Sequence, residues 1–255
     1  MAEDAAQTRP VTAVSQTAAL LSFVAAATFL VLLAALHFIK PELDPSWHMV
    51  SEYEIGRYGW VMVLAFLSLA FSCATLFVAI RSQIRTTGGR IGLALLVVSA
   101  LGMTIAAIFT ADPITASSDE LTTHGNLHGL GALLGIPSFP IAATLISRSL
   151  VRDRVWSPAR RSLQWTAALT WISLLVFVVS VALMLPQSNG EFGPDVLVGW
   201  PNRLFVVAMS AWLMAVAWRA AQLSGRNLKT IGHTHRVRSV GRWTADHLRG
   251  RRVQR

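Results

Sequence analysis

Long uninterrupted apolar runs constrain this chain more than any other feature. Six of them recur along its 255 residues, at about Thr17–Ile39, Tyr58–Ile80, Ile91–Thr110, Leu127–Ile146, Leu163–Leu185 and Leu204–Ala221. About twenty residues rising 1.5 Å each cross the roughly 30 Å hydrocarbon core of a bilayer. A soluble core has no use for several such segments. Lipid offers no water to unpaired backbone N–H and C=O groups, so each run is expected to be a helix. None shows the period-2 alternation of a membrane barrel strand. The expected fold is therefore all-α, a polytopic membrane helical bundle with six transmembrane helices. The first run is too long for the core of a cleavable signal, and no small-residue cleavage site follows it, so it is expected to remain as an anchor. On this reading a short N-terminus (1–16) leads into one membrane domain (17–222), and a basic tail (223–255) follows.

Arginine placement orients the bundle. With six spans both termini share one side with the second–third and fourth–fifth connections. Those connections carry Arg81, Arg85 and Arg90, then Arg148, Arg152, Arg154, Arg160 and Arg161, and the tail adds a further basic series from Arg226 to Arg255. The opposite loops hold Lys40, Arg57 and Arg203. The positive-inside bias places both termini in the cytoplasm, as expected of a multi-pass protein of the cell membrane. The acids then sort to the far face: Glu42, Asp44, Glu52, Glu54, Asp112, Asp119, Glu120, Glu191 and Asp195, with His37, His48, His124 and His128. The formal net charge of +9 thus combines a basic inner face with an acidic, histidine-bearing outer one. Membrane lipids are the expected partners, with anionic headgroups at the basic tail, and no nucleic acid is needed to explain the charge. Cys73 is the single cysteine and lies within a span, which excludes a disulfide framework and a thiolate metal cluster. Phosphate-loop, H-E-x-x-H and G-x-S-x-G signatures are lacking.

The outer connections carry the remaining chemistry. The stretch SEYEIGRYGW concentrates Ser51, Glu52, Tyr53 and Glu54 just before the second span. Ser51 is expected to cap a helix, with Glu54 three residues on completing a capping box. Glu52 and Glu54 read as solvated loop acids, and Tyr53 and Trp60 as residues of the interfacial aromatic belt. Asp112-Pro113 closes the third span. Thr122 or Thr123 can cap the fourth, which would place His124 and His128 four residues apart on one helical face. Pro137 and Pro140, further along, are expected to kink that span below them.

Ser51-x-Tyr53 before Gly59-Trp60, Asp112-Pro113, Gly125-x-Leu127-His128 and Gly199-x-x-x-Arg203 occur together at span ends. In this combination the chain resembles the bacterial six-span family catalogued as domain of unknown function 998, over roughly residues 17–222. The resemblance implies a six-span fold with a polar outer-face cluster, and no established reaction.

The candidate cluster is Ser51, Glu52, Tyr53, Asp112, His124, His128 and Arg203. His124 and His128 could ligate a divalent metal with Asp112 or Glu52 completing the shell, or could simply bond neighbouring loops. Asp112 and Arg203 read as an ion pair tying the third span to the sixth, since charge near the hydrocarbon boundary needs a partner. Alternatively Arg203 would hold an anionic headgroup. Ser51 would be a nucleophile only with a histidine beside it. Three classes stay open: a protein that binds or processes a lipid-like molecule at the outer face, a structural or regulatory membrane partner without catalysis, and a small transporter. The span centres lack Asp, Glu, Lys and Arg, which counts against the last.

Overall fold

The computed structural model describes residues 13–250, with side chains for residues 16–224. Six long helices account for the apolar runs: α1 (Ala13–Ile39), α2 (Gly59–Ile80), α3 (Thr87–Ile108), α4 (Thr123–Leu150), α5 (Arg160–Met184) and α6 (Gly199–Gly250). All six have the length and hydropathy to cross a membrane. Short 3-10 turns at Val50–Glu54, Arg154–Ala159 and Pro186–Ser188 punctuate the connections, and the described residues contain no strand. The backbone of α6 continues well past its apolar part to Gly250. The side chains of the basic tail beyond Ser224 lie outside the described residues, as does the N-terminus before Ala13.

Local signals explain several boundaries. Thr122 caps α4, its hydroxyl accepting the Gly125 N–H at 3.0 Å, and Thr86 caps α3 through Gly89 N–H in the same way. α4 runs unbroken through Pro137 and Pro140, where Ser138 Oγ donates to the carbonyl of Leu134.

The helices close a ring in chain order, α1 against α2 and α6, α2 against α3, α3 against α4, and α5 between α4 and α6. Apolar attraction is weak between helices in lipid, so close packing and interhelical hydrogen bonds matter more. Ser22 and Ser72 exchange hydroxyl-to-carbonyl bonds of 2.9 and 2.8 Å between α1 and α2. Ser99 and Ser138 join α3 to α4 at 2.8 Å, and Trp212 Nε1 donates to Ser147 Oγ between α6 and α4 at 3.0 Å. α3 and α4 come closest because Gly102 and Gly131 face one another. A Cβ built on Gly131 would lie 2.6 Å from the Gly102 carbonyl oxygen and 2.9 Å from the Ala106 nitrogen. In contrast, α5 is the least buried span and turns Trp165, Leu175 and Leu183 outward. α4 and α6 touch little.

Candidate functional site

The connections 40–58, 109–122 and 185–198 gather at one end of the bundle. The first of them folds inward as a plug. Three long-range anchors hold it, two of them side chains of α6 and one a side chain of the plug itself.

Arg203, on the first turn of α6, is the main anchor and is 4% exposed. Its Nε donates to His37 Nε2 at the end of α1 (2.9 Å). Nη1 donates to the carbonyls of His48 (2.7 Å) and Gly199 (3.1 Å), and Nη2 to the Tyr53 hydroxyl (3.1 Å). Because a guanidinium can only donate, His37 must accept at Nε2, which leaves Nδ1 to donate to the Leu33 carbonyl at 2.7 Å. Gly199 makes this approach possible. Its N–H donates to the Ser46 carbonyl at 2.9 Å, and a Cβ there would collide with the backbone of Pro45, Ser46 and His48. The spacing Gly199-x-x-x-Arg203 therefore places a close approach and an anchor on the same face of one helical turn.

Glu52 and Asn202 are the second and third anchors. Glu52 is buried and accepts the N–H of Met49 (2.8 Å) and, across loops, that of Ile114 (3.1 Å). His48 Nδ1 lies 3.1 Å from its Oε2. Asn202 Oδ1 accepts the N–H of Val50 at 2.9 Å. Lys40 is also buried, donating to the carbonyls of Tyr53 and Ile55. Burial pulls its ammonium below the usual lysine range, opposed by Glu42 and Glu52.

Several sequence expectations are corrected here. Asp112 and Arg203 do not pair. Asp112 accepts both the N–H and the hydroxyl of Thr122 (2.8 and 2.7 Å), and Arg203 has no carboxylate within ion-pair distance among the described residues. Glu52 and Glu54 are buried rather than solvated, because the plug folds beneath the end of α3. The reach back to the start of the 3-10 turn is made by Glu52 to Met49, not by Glu54 to Ser51. Tyr53 is fully buried under Arg203 instead of lying in the belt, where Trp60, 62% exposed, does stand.

Glu54 is the residue that sequence reasoning undervalued. It is 5% exposed, and neither carboxylate oxygen has an aligned hydrogen bond. His128 Nδ1 lies 3.4 Å from one of them. That nitrogen also faces the carbonyls of Ala106 (3.0 Å) and Phe109 (2.9 Å) at the end of α3. Three acceptors around Nδ1 hold a proton there. Nε2 has no hydrogen-bond partner among the described residues. His124 lies apart, edge-on to Phe109. Among the described residues no three His, Cys, Asp or Glu side chains converge in a metal-binding group.

Burial drives the Glu54 carboxyl above the ordinary value of 4.5, with His128 and the Ala111 amide opposing. The folded chain thus holds this proton more tightly than the unfolded chain. The stability tied to the neutral acid is complete below 4.5 and is lost as pH rises from there through the folded value. Glu54→Gln is expected to abolish this slope and to be more stable than the parent at neutral pH by about 1–3 kcal/mol, the cost of a poorly satisfied buried group. Thermal melting of both proteins between pH 4 and 8 checks this, and a less stable variant at neutral pH would contradict it.

Behind the plug lies a cavity of about 580 Å³. Its depth is apolar, built from Phe66 of α2, Met103 of α3, Ile136 of α4, Phe177 of α5, and Phe205 and Met209 of α6. Its loop end is polar, with Ser51, Glu52, Asp112, Asn126, His128 and Asn202. Tyr53, Glu54, His124 and Arg203 stand outside this wall. The structure therefore divides the predicted cluster. Ser51, Glu52, Asp112 and His128 share a cavity, Tyr53 and Arg203 form the anchor beside it, and His124 joins neither. Ser51 makes no hydrogen bond to a histidine among the described residues, so it lacks the geometry of an activated nucleophile. Asn126 and Asn202 carried no signal beyond their nearness to His128 and Arg203 in sequence.

The family described as Protein of unknown function (DUF998) matches residues 23–219, well over half of the chain. The chain belongs to that family. No curated protein matches it, and no solved structure does. The matched span reaches into all six apolar segments and includes every residue of the cavity wall. The protein is thus a multi-pass membrane protein of a family without an assigned function.

Proposed function

We propose that this DUF998 protein binds or processes a lipid-like amphiphile, held with its chain among the helices and its head at the loop end. The observation that supports this most is the cavity itself, apolar in depth and polar at one end only. Its volume lies within the roughly 300–1,000 Å³ of small-molecule sites, and a few convergent polar groups in an apolar pocket are what such sites have in common. The thinly covered α4–α6 side, where only α5 intervenes, gives an apolar molecule a route from the bilayer. Arginine placement puts the polar end on the extracytoplasmic side of the cell membrane. Glu54 supports a role beyond scaffolding, since a buried acid that lacks good partners lowers stability, and such groups persist where function needs them.

The test fills the cavity. Ala132 lines it from α4, and Ala132→Trp occupies part of its volume. The expected outcome is a protein that melts within a few degrees of the parent and loses the amphiphile that co-purifies with the parent, as read by native mass spectrometry. Unchanged bound content per folded molecule would sink the reading.

A further inference from the structure

Resting on the reading of the cavity as an amphiphile site, we infer that it selects a cationic amine head over an anionic phosphate head. The carrying observation is the charge of its wall. Glu52 and Asp112 line the polar end, and no Lys or Arg does. The two buried cations of this region, Lys40 and Arg203, are held elsewhere. Arg203 is held by His37, Tyr53 and two carbonyls, and Lys40 by two carbonyls.

The groups around Glu52 and Asp112 point the same way. His128 is 8% exposed and lines the cavity with Nδ1 committed to Ala106, Phe109 and Glu54. The carbonyls that hold it are the C-terminal end of α3, the negative end of that helix dipole. Glu52 and Asp112 spend some lone pairs on backbone amides and Thr122, yet each carboxylate has about four acceptor sites, so both can still accept. Phe192, from the connection 185–198, also lines the cavity, and an aromatic ring attracts a cation but not an anion. A phosphate would instead sit beside two like charges, with the amides of Asn126 and Asn202 and the hydroxyls of Ser51 and Ser118 as side-chain donors of the wall. Repulsion of that kind is how a site rejects a competitor.

The experiment uses dodecylamine, dodecanol and dodecyl phosphate with the full chain in nanodiscs of zwitterionic lipid. Affinities are corrected for partition into empty discs, and the probes are competed against one another on the unchanged protein, with Ala132→Trp as the blocked background. The amine is expected to bind at least tenfold more tightly than the phosphate, with the alcohol between them. Phosphate binding as tightly as the amine, or amine and alcohol binding equally, overturns the head-group selection and leaves the cavity reading standing. Binding of none of the three, or no competition among them, overturns both.

Discussion

Arg203→Ala is expected to be among the most damaging single changes in this protein, lowering stability by roughly 3–5 kcal/mol, as when one member of a buried charged network is removed. The physical reason is the number of groups left behind. His37 Nε2, the Tyr53 hydroxyl and the carbonyls of His48 and Gly199 all lose their shared donor, and the plug loses its hold on α6. Arg203→Lys should recover little of this, because an ammonium is a compact point of charge and cannot spread donors across a plane to three directions. Asp112→Ala provides the contrast. It removes two bonds to Thr122 at the α4 entry and should cost about 1 kcal/mol. Thermal melting of the three variants in detergent, with hydrogen exchange across residues 46–55, decides the matter. If Asp112→Ala proved as harmful as Arg203→Ala, an Asp112–Arg203 dependence would have to be restored.

Gly131→Leu should be of comparable severity, for a different reason. The obstacle at Gly131 is the backbone of α3, the Gly102 carbonyl and the Ala106 nitrogen, and a backbone cannot rotate aside as a side chain can. α3 and α4 must separate, which also strains the Ser99–Ser138 bond and opens the cavity wall. Overpacking costs about 1–3 kcal/mol where side chains can yield, and more where they cannot. Gly129, two residues away on the same helix, is the internal control. A Cβ there meets nothing within 4 Å, so Gly129→Ala should be neutral or slightly stabilising, since alanine loses less backbone entropy in a helix. Equal melting temperatures for Gly131→Leu and the parent would show that the α3–α4 contact is looser than drawn.

The cavity and its anchor were only partly legible in the chain. His128 could be flagged because Thr122 or Thr123 announces a helix start and places that histidine one turn inside it. Arg203 could be flagged because an arginine at the mouth of a span needs company. The partners were misassigned, and the cause is chemical. Opposite charges suggest pairing across any sequence distance, so Asp112 looked like the natural partner, yet Arg203 is satisfied by a histidine, a phenol and two carbonyls. Carbonyl acceptors have no signature, because every residue has one. Glu54 was undervalued for a related reason. A glutamate in a polar loop is ordinarily solvated, and only the inward fold of 40–58 under the end of α3 removes it from water.

The sequence by itself determined the six spans, the start of α4 at Thr122 or Thr123 and the end of the bundle where polar residues collect. These follow from hydrophobic length and local hydrogen bonding, which act within about twenty residues. Only the tertiary structure decided which of those polar residues share a cavity, which serve as anchors, and that Glu54 stands behind His128. Such pairings join residues 19 to 166 positions apart. They depend on how helices pack in a ring and how a loop folds between them, and no local pattern of residue types encodes that geometry.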